Sequence, residues 1–155
     1  MNENAQPLRG VMIQVAGGRL LMPNAAIAEI LSVVDPEPMP GAPDWILGQV
    51  RWRGWQVPLV SYTRLAGLGT SDELLRGQRV LVLKGLGGNA RLPYFALLTQ
   101  GFPRLVSVGA DSLETVDGGI DGGGVIAASV RYQDEAAIVP DLDGIESRLQ
   151  EALAA

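Results

Sequence analysis

A β-hairpin is written twice in this chain, and that repetition constrains its fold more than any other feature. The first copy reads Val50-Arg51-Trp52-Arg53-Gly54-Trp55-Gln56-Val57-Pro58-Leu59-Val60. The second reads Val130-Arg131-Tyr132-Gln133-Asp134-Glu135-Ala136-Ala137-Ile138-Val139-Pro140-Asp141-Leu142. Each runs Val-Arg-aromatic, polar turn, β-branched residue, Pro, and then a short helical-looking segment. Arg51 and Arg131 stand 80 residues apart and Pro58 and Pro140 stand 82 apart, which assigns the difference to turn length. A duplicated β unit with no evident catalytic residue implies a binding platform.

Composition removes most chemistry. The 155 residues include no Cys and no His, so disulfides, thiol nucleophiles, zinc-thiolate sites and the usual general base are all absent. Hydrophobic content of 47% against 19% charged residues fits a folded domain with a real core. The net charge is −5, with 6 basic and 7 acidic residues in 1–77 against 6 and 10 in 78–155. Without a basic stripe, such a chain is a poor candidate for nucleic acid. Met1–Pro7 has neither the basic nor the apolar region of a signal peptide, and no apolar run is long enough to span a bilayer. A cytoplasmic protein with no direct membrane insertion is the expectation.

The remaining segments read as short strands. Val11–Val15 and Leu20–Met22 flank Gly17-Gly18, a hairpin signal, and Ile27–Val34 is a further apolar stretch. Asp35–Asp44 holds four prolines and reads as coil with no ladder donors to offer. Trp45–Trp52 and Trp55–Val60 form the first hairpin, turning at Arg53-Gly54, and Tyr62–Leu68 has room for one or two helical turns before Gly67 and Gly69 stop it. Arg79–Lys84 predicts a buried strand, Tyr94–Thr99 its return, and Leu105–Val108 another strand after Pro103. Ile145, Leu149 and Leu153 recur every four residues, one face of a closing helix over Leu142–Leu153. Both halves thus share one order, which predicts an all-β fold of two pseudo-equivalent small barrels joined by a hydrophobic seam.

Candidate chemistry mostly resolves into structure. Gly85-Leu86-Gly87-Gly88-Asn89-Ala90 fits a dinucleotide fingerprint, but Pro93 and a following strand favour a hairpin turn over a phosphate-binding helix. Asp117 and Asp121 in the Gly-rich 117–124 segment lack the further ligands of a calcium loop and read as linker. Asp141 and Asp143 are a conceivable carboxylate pair, yet Asp141 stands where a helix N-cap belongs. No cofactor or metal is expected. Trp52 and Trp55 flank a turn with Arg53 at its tip; a core role for these aromatics is about even with an exposed binding turn of hot-spot residue types.

Leu21-Met22-Pro23, Ile27-Ala28-Glu29-Ile30, the Pro-rich gap, Ile46-Leu47-Gly48-Gln49-Val50 and Arg53-Gly54-x-x-Val57-Pro58-Leu59-Val60 together resemble the CheW-like family, scaffolds that couple chemoreceptors to a histidine autokinase. The resemblance covers roughly residues 9 to 153 and is strongest from 20 to 65. It implies two five-stranded SH3-like β-barrels, with subdomains of roughly 20–75 plus the C-terminal segment and roughly 78–140. It also implies an adaptor without catalysis. One barrel would dock on the regulatory domain of a CheA-type kinase, and the groove between barrels would take the helical tip of a methyl-accepting chemoreceptor. Ile27, Glu29, Ile30, Gly48 and Arg53 match family positions for partner binding, with Trp52, Gly54 and Trp55 beside them and Phe102 on the second barrel. Gly48 would allow close backbone approach, and Arg53 would give a charge-assisted hydrogen bond or brace the turn. Arg51-Trp52-Arg53-Gly54 replaces the usual Asn-Leu-Arg-Gly, Ser61 replaces an Asp, and Gln100 stands in place of a second-half acid. This divergence resembles members from clusters that control type IV pili and twitching motility. The alternatives are a stand-alone small-ligand-binding barrel and an accessory scaffold that has lost one interface.

Overall fold

The computed structural model describes residues 8–32, 35–69, 78–85, 87, 92–109, 113–116 and 124–154. Strands β1 (Leu8–Val15) and β2 (Gly18–Pro23) close over a turn in which Gly17 takes φ 85°. A 3-10 turn at Asn24–Ala26 leads into β3 (Ile27–Leu31). Strands β4 (Ile46–Trp52) and β5 (Trp55–Val60) are the first repeated hairpin, followed by α1 (Tyr62–Leu65). The second half supplies β6 (Gln78–Lys84), β7 (Tyr94–Val108), β8 (Leu113–Thr115), β9 (Ile126–Tyr132), β10 (Glu135–Pro140) and α2 (Leu142–Ala154). The two strands expected at Tyr94–Thr99 and Leu105–Val108 are one, continuing through Gly101 at φ 68°. The 117–123 segment, with Asp117 and Asp121, lies outside the described residues.

The repeat holds at an offset of 80, and the two turns are equal in length. Arg53 and Gly54 take φ 48° and 82°, Gln133 and Asp134 take 48° and 67°, and the flanking pairs are Trp52↔Trp55 and Tyr132↔Glu135. Positive φ at both central residues is the type I′ turn that suits the twist of a two-residue hairpin. Pro58 therefore corresponds to Ile138 and Pro140 to Val60; the 82-residue spacing compares prolines that are not equivalent. The same offset carries on into the helix caps. Arg64 N donates to Ser61 Oγ at 3.2 Å, and Gly144 N donates to Asp141 Oδ1 at 2.9 Å, so Asp141 is the N-cap its position suggested.

Pairing between strands crosses the sequence halves. β5 runs parallel to β7 at Leu59↔Ala96, and β6 joins β7 to β3, so the first barrel is β4-β5-β7-β6-β3 with the N-terminal half of β7. It closes through Glu37, whose N donates to Gln49 O at 2.8 Å and whose O accepts from Gln49 N at 2.9 Å. The proline-rich segment does offer a ladder donor at that one position. The second barrel joins the C-terminal half of β7 to β1, β2, β10, β9 and β8, with β10 parallel to β2 at Ile138↔Leu20. The Tyr132 hydroxyl donates to Ser107 O at 3.2 Å, tying β9 back to β7. Each barrel thus takes a hairpin from the opposite half of the chain, and a division between 20–75 and 78–140 runs through both barrels.

The reason lies in the two faces of the exchanged hairpins. On β6, Val80 and Val82 enter the first barrel's core with Trp52 and Leu59, while Leu81 and Leu83 face the seam. On β1, Met12 enters the second barrel with Val130 and Tyr132, while Val11, Ile13 and Val15 face the seam. Alternation of period two with both faces apolar demands cover on both sides. The seam is the largest of the three clusters and also takes Phe95, Leu97, Ile145 and Leu149. There the Tyr62 hydroxyl donates to Val125 O at 2.8 Å, and burial, assisted by the Asp141 carboxylate, pushes its phenol above its ordinary range.

Candidate functional site

The β4–β5 turn sets most of the sequence-predicted residues on one edge of the first barrel. Arg53, in the left-handed region at the turn, lays its guanidinium 4.9 Å from the Trp52 ring centroid and donates from Nη2 to Glu29 Oε1 at 2.8 Å. Two candidates 24 residues apart are thereby joined. Both side chains are well exposed, at 70% and 37%, so the pair orients charge more than it stabilises the fold. Gly54 completes the type I′ turn, and a Cβ there would meet nothing within 4 Å.

The two tryptophans part company. Trp52 is in the first barrel's core, its ring 4.8 Å from that of Tyr94 in an edge contact. Its Nε1 is buried without a hydrogen-bond partner. Strand alternation explains this, because Val50 and Trp52 on β4 both point inward. The expected exposed pair of tryptophans is therefore a single one, Trp55, which is 44% exposed and tilted over Tyr94 at 6.2 Å.

Gly48 has a role inside the chain. It sits at φ 144°, and an added Cβ would overlap the Glu37 carbonyl oxygen and come within 2.9 Å of Pro36 Cβ. The close backbone approach inferred from the sequence is that of the chain's own 36–37 segment. Ile27 and Ile30 pair with Leu83 and Leu81 across a bulge, which turns both toward the seam, where they are only partly buried.

Phe102 belongs to a separate group. Between Gln100↔Gln14 and Arg104↔Met12, β7 spends four residue steps against two on β1, and the bulge pushes Phe102 out to 79% exposure. The Arg79 guanidinium lies 4.7 Å from its ring centroid. Beside it, Arg104 and Arg19 both bind Glu135, at 2.7 and 2.9 Å, and the Arg104 hydrogen bond holds that carboxyl below its ordinary range. The sequence reading missed Leu105, which pairs with seam-facing Val11 yet is 72% exposed. As one apolar residue in an apolar strand, it carries no signal of exposure in the sequence.

Two interleaved barrels around a common seam define a double-barrel β module. The CheW-like domain profile matches residues 9–150, and the chain belongs to that family. Among solved structures it is similar to the scaffolding protein TtCheW from Thermoanaerobacter tengcongensis, with a TM-score of 0.74 and 17% identity over 92% of this chain and 89% of that one. No curated protein matches it closely enough to count as a relative.

Proposed function

We propose that this protein is a non-catalytic adaptor that couples chemoreceptors to a CheA-type histidine kinase, in a system whose output is type IV pilus motility. The observation that carries the reading is the family match over residues 9–150. The first barrel's edge, with Arg53 braced by Glu29 and Trp55 exposed beside it, is the kinase-docking surface. The groove between the barrels, with Ile27 and Ile30 partly buried against the seam and Leu105 exposed opposite seam-facing Val11, accepts the apolar tip of a receptor's helical hairpin. A contact of this kind is weak and reversible, and many copies in an array supply the avidity.

The test is titration of the purified protein against the isolated regulatory domain of its cognate kinase. Saturable micromolar binding is expected, weakened in Arg53→Ala by about 1–2 kcal/mol with the thermal transition unchanged. No binding by the folded wild-type protein refutes the kinase contact. Equal binding by Arg53→Ala moves the contact elsewhere.

A further inference from the structure

The bulge in β7 shapes a corner of the second barrel that answers the Arg53 edge of the first. A hollow of about 290 Å³ lies there, among the described residues, against Gln14, Arg19, Gly101, Phe102, Arg104 and Glu135. The strand register shows the correspondence. Leu59 pairs in parallel with Ala96, and the offset of 80 puts Val139 at the place of Leu59, one step beyond the parallel pair Ile138↔Leu20. Ala96 thus corresponds to Leu21, and the pairs Val82↔Ala96 and Met12↔Leu21 make Met12 the counterpart of Val82. Glu29 pairs with Val82 and Arg104 with Met12, so Arg104 stands where the first barrel has Glu29. Each is ion-paired to the repeated hairpin, Glu29 to Arg53 at 2.8 Å and Arg104 to Glu135 at 2.7 Å. The charges are exchanged: the strand supplies the acid in one barrel and the base in the other.

Around Phe102 the cations prevail. Arg19 and Arg104 line the hollow, the Arg79 guanidinium lies 4.7 Å from the Phe102 ring centroid, and Glu135 is the one acidic lining residue among those described. Glu135 does not use up these donors. Arg104 donates to both its oxygens from Nη2 alone, at 2.8 and 2.7 Å, which leaves Nε and Nη1 to donate elsewhere. Arg79 donates from Nη1 to Gln78 O at 3.0 Å and has no acidic partner among the described residues. An exposed aromatic ring beside arginines has the residue types enriched in protein interfaces. The hollow falls just below the roughly 300–1,000 Å³ of small-molecule sites and has room for one side chain. We propose that this corner docks an acidic peptide segment of a partner protein, with one apolar side chain seated against Phe102 and flanking carboxylates on Arg104 and Arg79. The chain as a whole has a net charge of −5, so attraction for such a segment is local to this corner. Arg104 shares its strand face with Met12 and Leu105 shares that of Val11, which turns the hollow away from the groove proposed for the receptor. The edge proposed for the kinase is on the other barrel, and the inference rests on neither contact.

The probe is the peptide acetyl-Glu-Asp-Leu-Asp-Glu-amide, titrated into the isotope-labelled protein at low salt, with acetyl-Gln-Asn-Leu-Asn-Gln-amide as the uncharged control. Saturable binding is expected, about tenfold tighter than the control and weakened by added salt, with amide shifts centred on Gln14, Arg19, Gly101 and Phe102. Phe102→Ser and Arg104→Gln should each weaken it about fivefold or more. Both side chains are well exposed, so both variants should fold and keep the wild-type Tm to within a few degrees. No saturable binding, equal affinity for the two peptides, or undiminished binding by either folded variant overturns the proposal. Shifts centred on Ile27 and Ile30 would put the peptide in the groove and overturn the site. The same amides shifting when the protein alone is concentrated would make a second copy of this chain the occupant and overturn the acidic partner.

Discussion

Replacing Gly48 by Ala tests whether that glycine serves the fold or a partner. Two costs are separable. An L-residue held at φ 144° costs about 1–3 kcal/mol in backbone strain. The new Cβ would also overlap the Glu37 carbonyl oxygen, so the 36–37 segment must withdraw. Withdrawal breaks both backbone hydrogen bonds between Glu37 and Gln49, each worth roughly 1 kcal/mol. The sum is about 3–5 kcal/mol, and for a chain of this size it lowers Tm by roughly 6–20 °C. Gly54→Ala is the control: its φ is 82°, but nothing lies within 4 Å of the new carbon, so it should lose only about 1–2 kcal/mol. Urea denaturation of the two variants side by side decides the matter. A Gly48→Ala protein as stable as Gly54→Ala would refute the collision and return Gly48 to the list of partner contacts.

The Glu135 carboxyl should titrate below its ordinary value, because the Arg104 hydrogen bond favours its charged form. A depressed native value means that the contribution of this carboxylate is present above the unfolded value and lost as pH falls through the native one. Carboxyl-carbon NMR should show that low midpoint and its rise in Arg104→Ala; an unchanged midpoint would remove Arg104 as the cause. Fragments cut within 70–77 should each lack a cooperative thermal transition, since each barrel needs a hairpin from the other half, and mixing them should restore one. Independent folding of either fragment would contradict the exchange.

The local features were legible because local chemistry decides them. Gly54 after Arg53, the apolar alternation of 79–84 and an Asp before the last helix each specify a turn, a doubly buried strand and a cap through neighbouring residues alone. The exchange of hairpins between halves was not legible, because Leu81 and Val82 say that two faces are buried but not against what. Trp52 and Trp55 look alike in sequence and differ only in strand phase, which places the first inside. The Gln100–Arg104 bulge left no strong mark either. Gly101 and Pro103 read as an interruption of two strands, whereas they bend one and expose Phe102 and Leu105. At Gly48 the resemblance implied a close backbone approach in partner binding, whereas in the structure the chain's own 36–37 segment lies against it.

The seam decides how an adaptor of this shape can transmit a signal. Fully buried side chains contribute roughly 1.5–3 kcal/mol each. Ile13, Leu20, Leu81, Leu83, Phe95, Leu97, Ile145 and Leu149 are all fully buried there. Separating the barrels would forfeit about 12–24 kcal/mol by that measure. Docking at micromolar affinity supplies about 8 kcal/mol, even if all of it were diverted to opening. The hairpins that form the seam are also the inner walls of both barrels, so opening would disturb the barrel cores as well. Partners docked on the two proposed surfaces would therefore be linked through a rigid body, and one would influence the other by fixing its position rather than by reshaping this protein. Hydrogen exchange measures this directly. The amides of Leu81, Leu83, Leu97 and Ile13 should exchange only through global unfolding, with the same opening free energy alone and with the kinase regulatory domain bound, once the shift from binding itself is allowed for. Faster exchange at those four amides in the complex, with the rest of the chain still protected, would show that docking does open the seam.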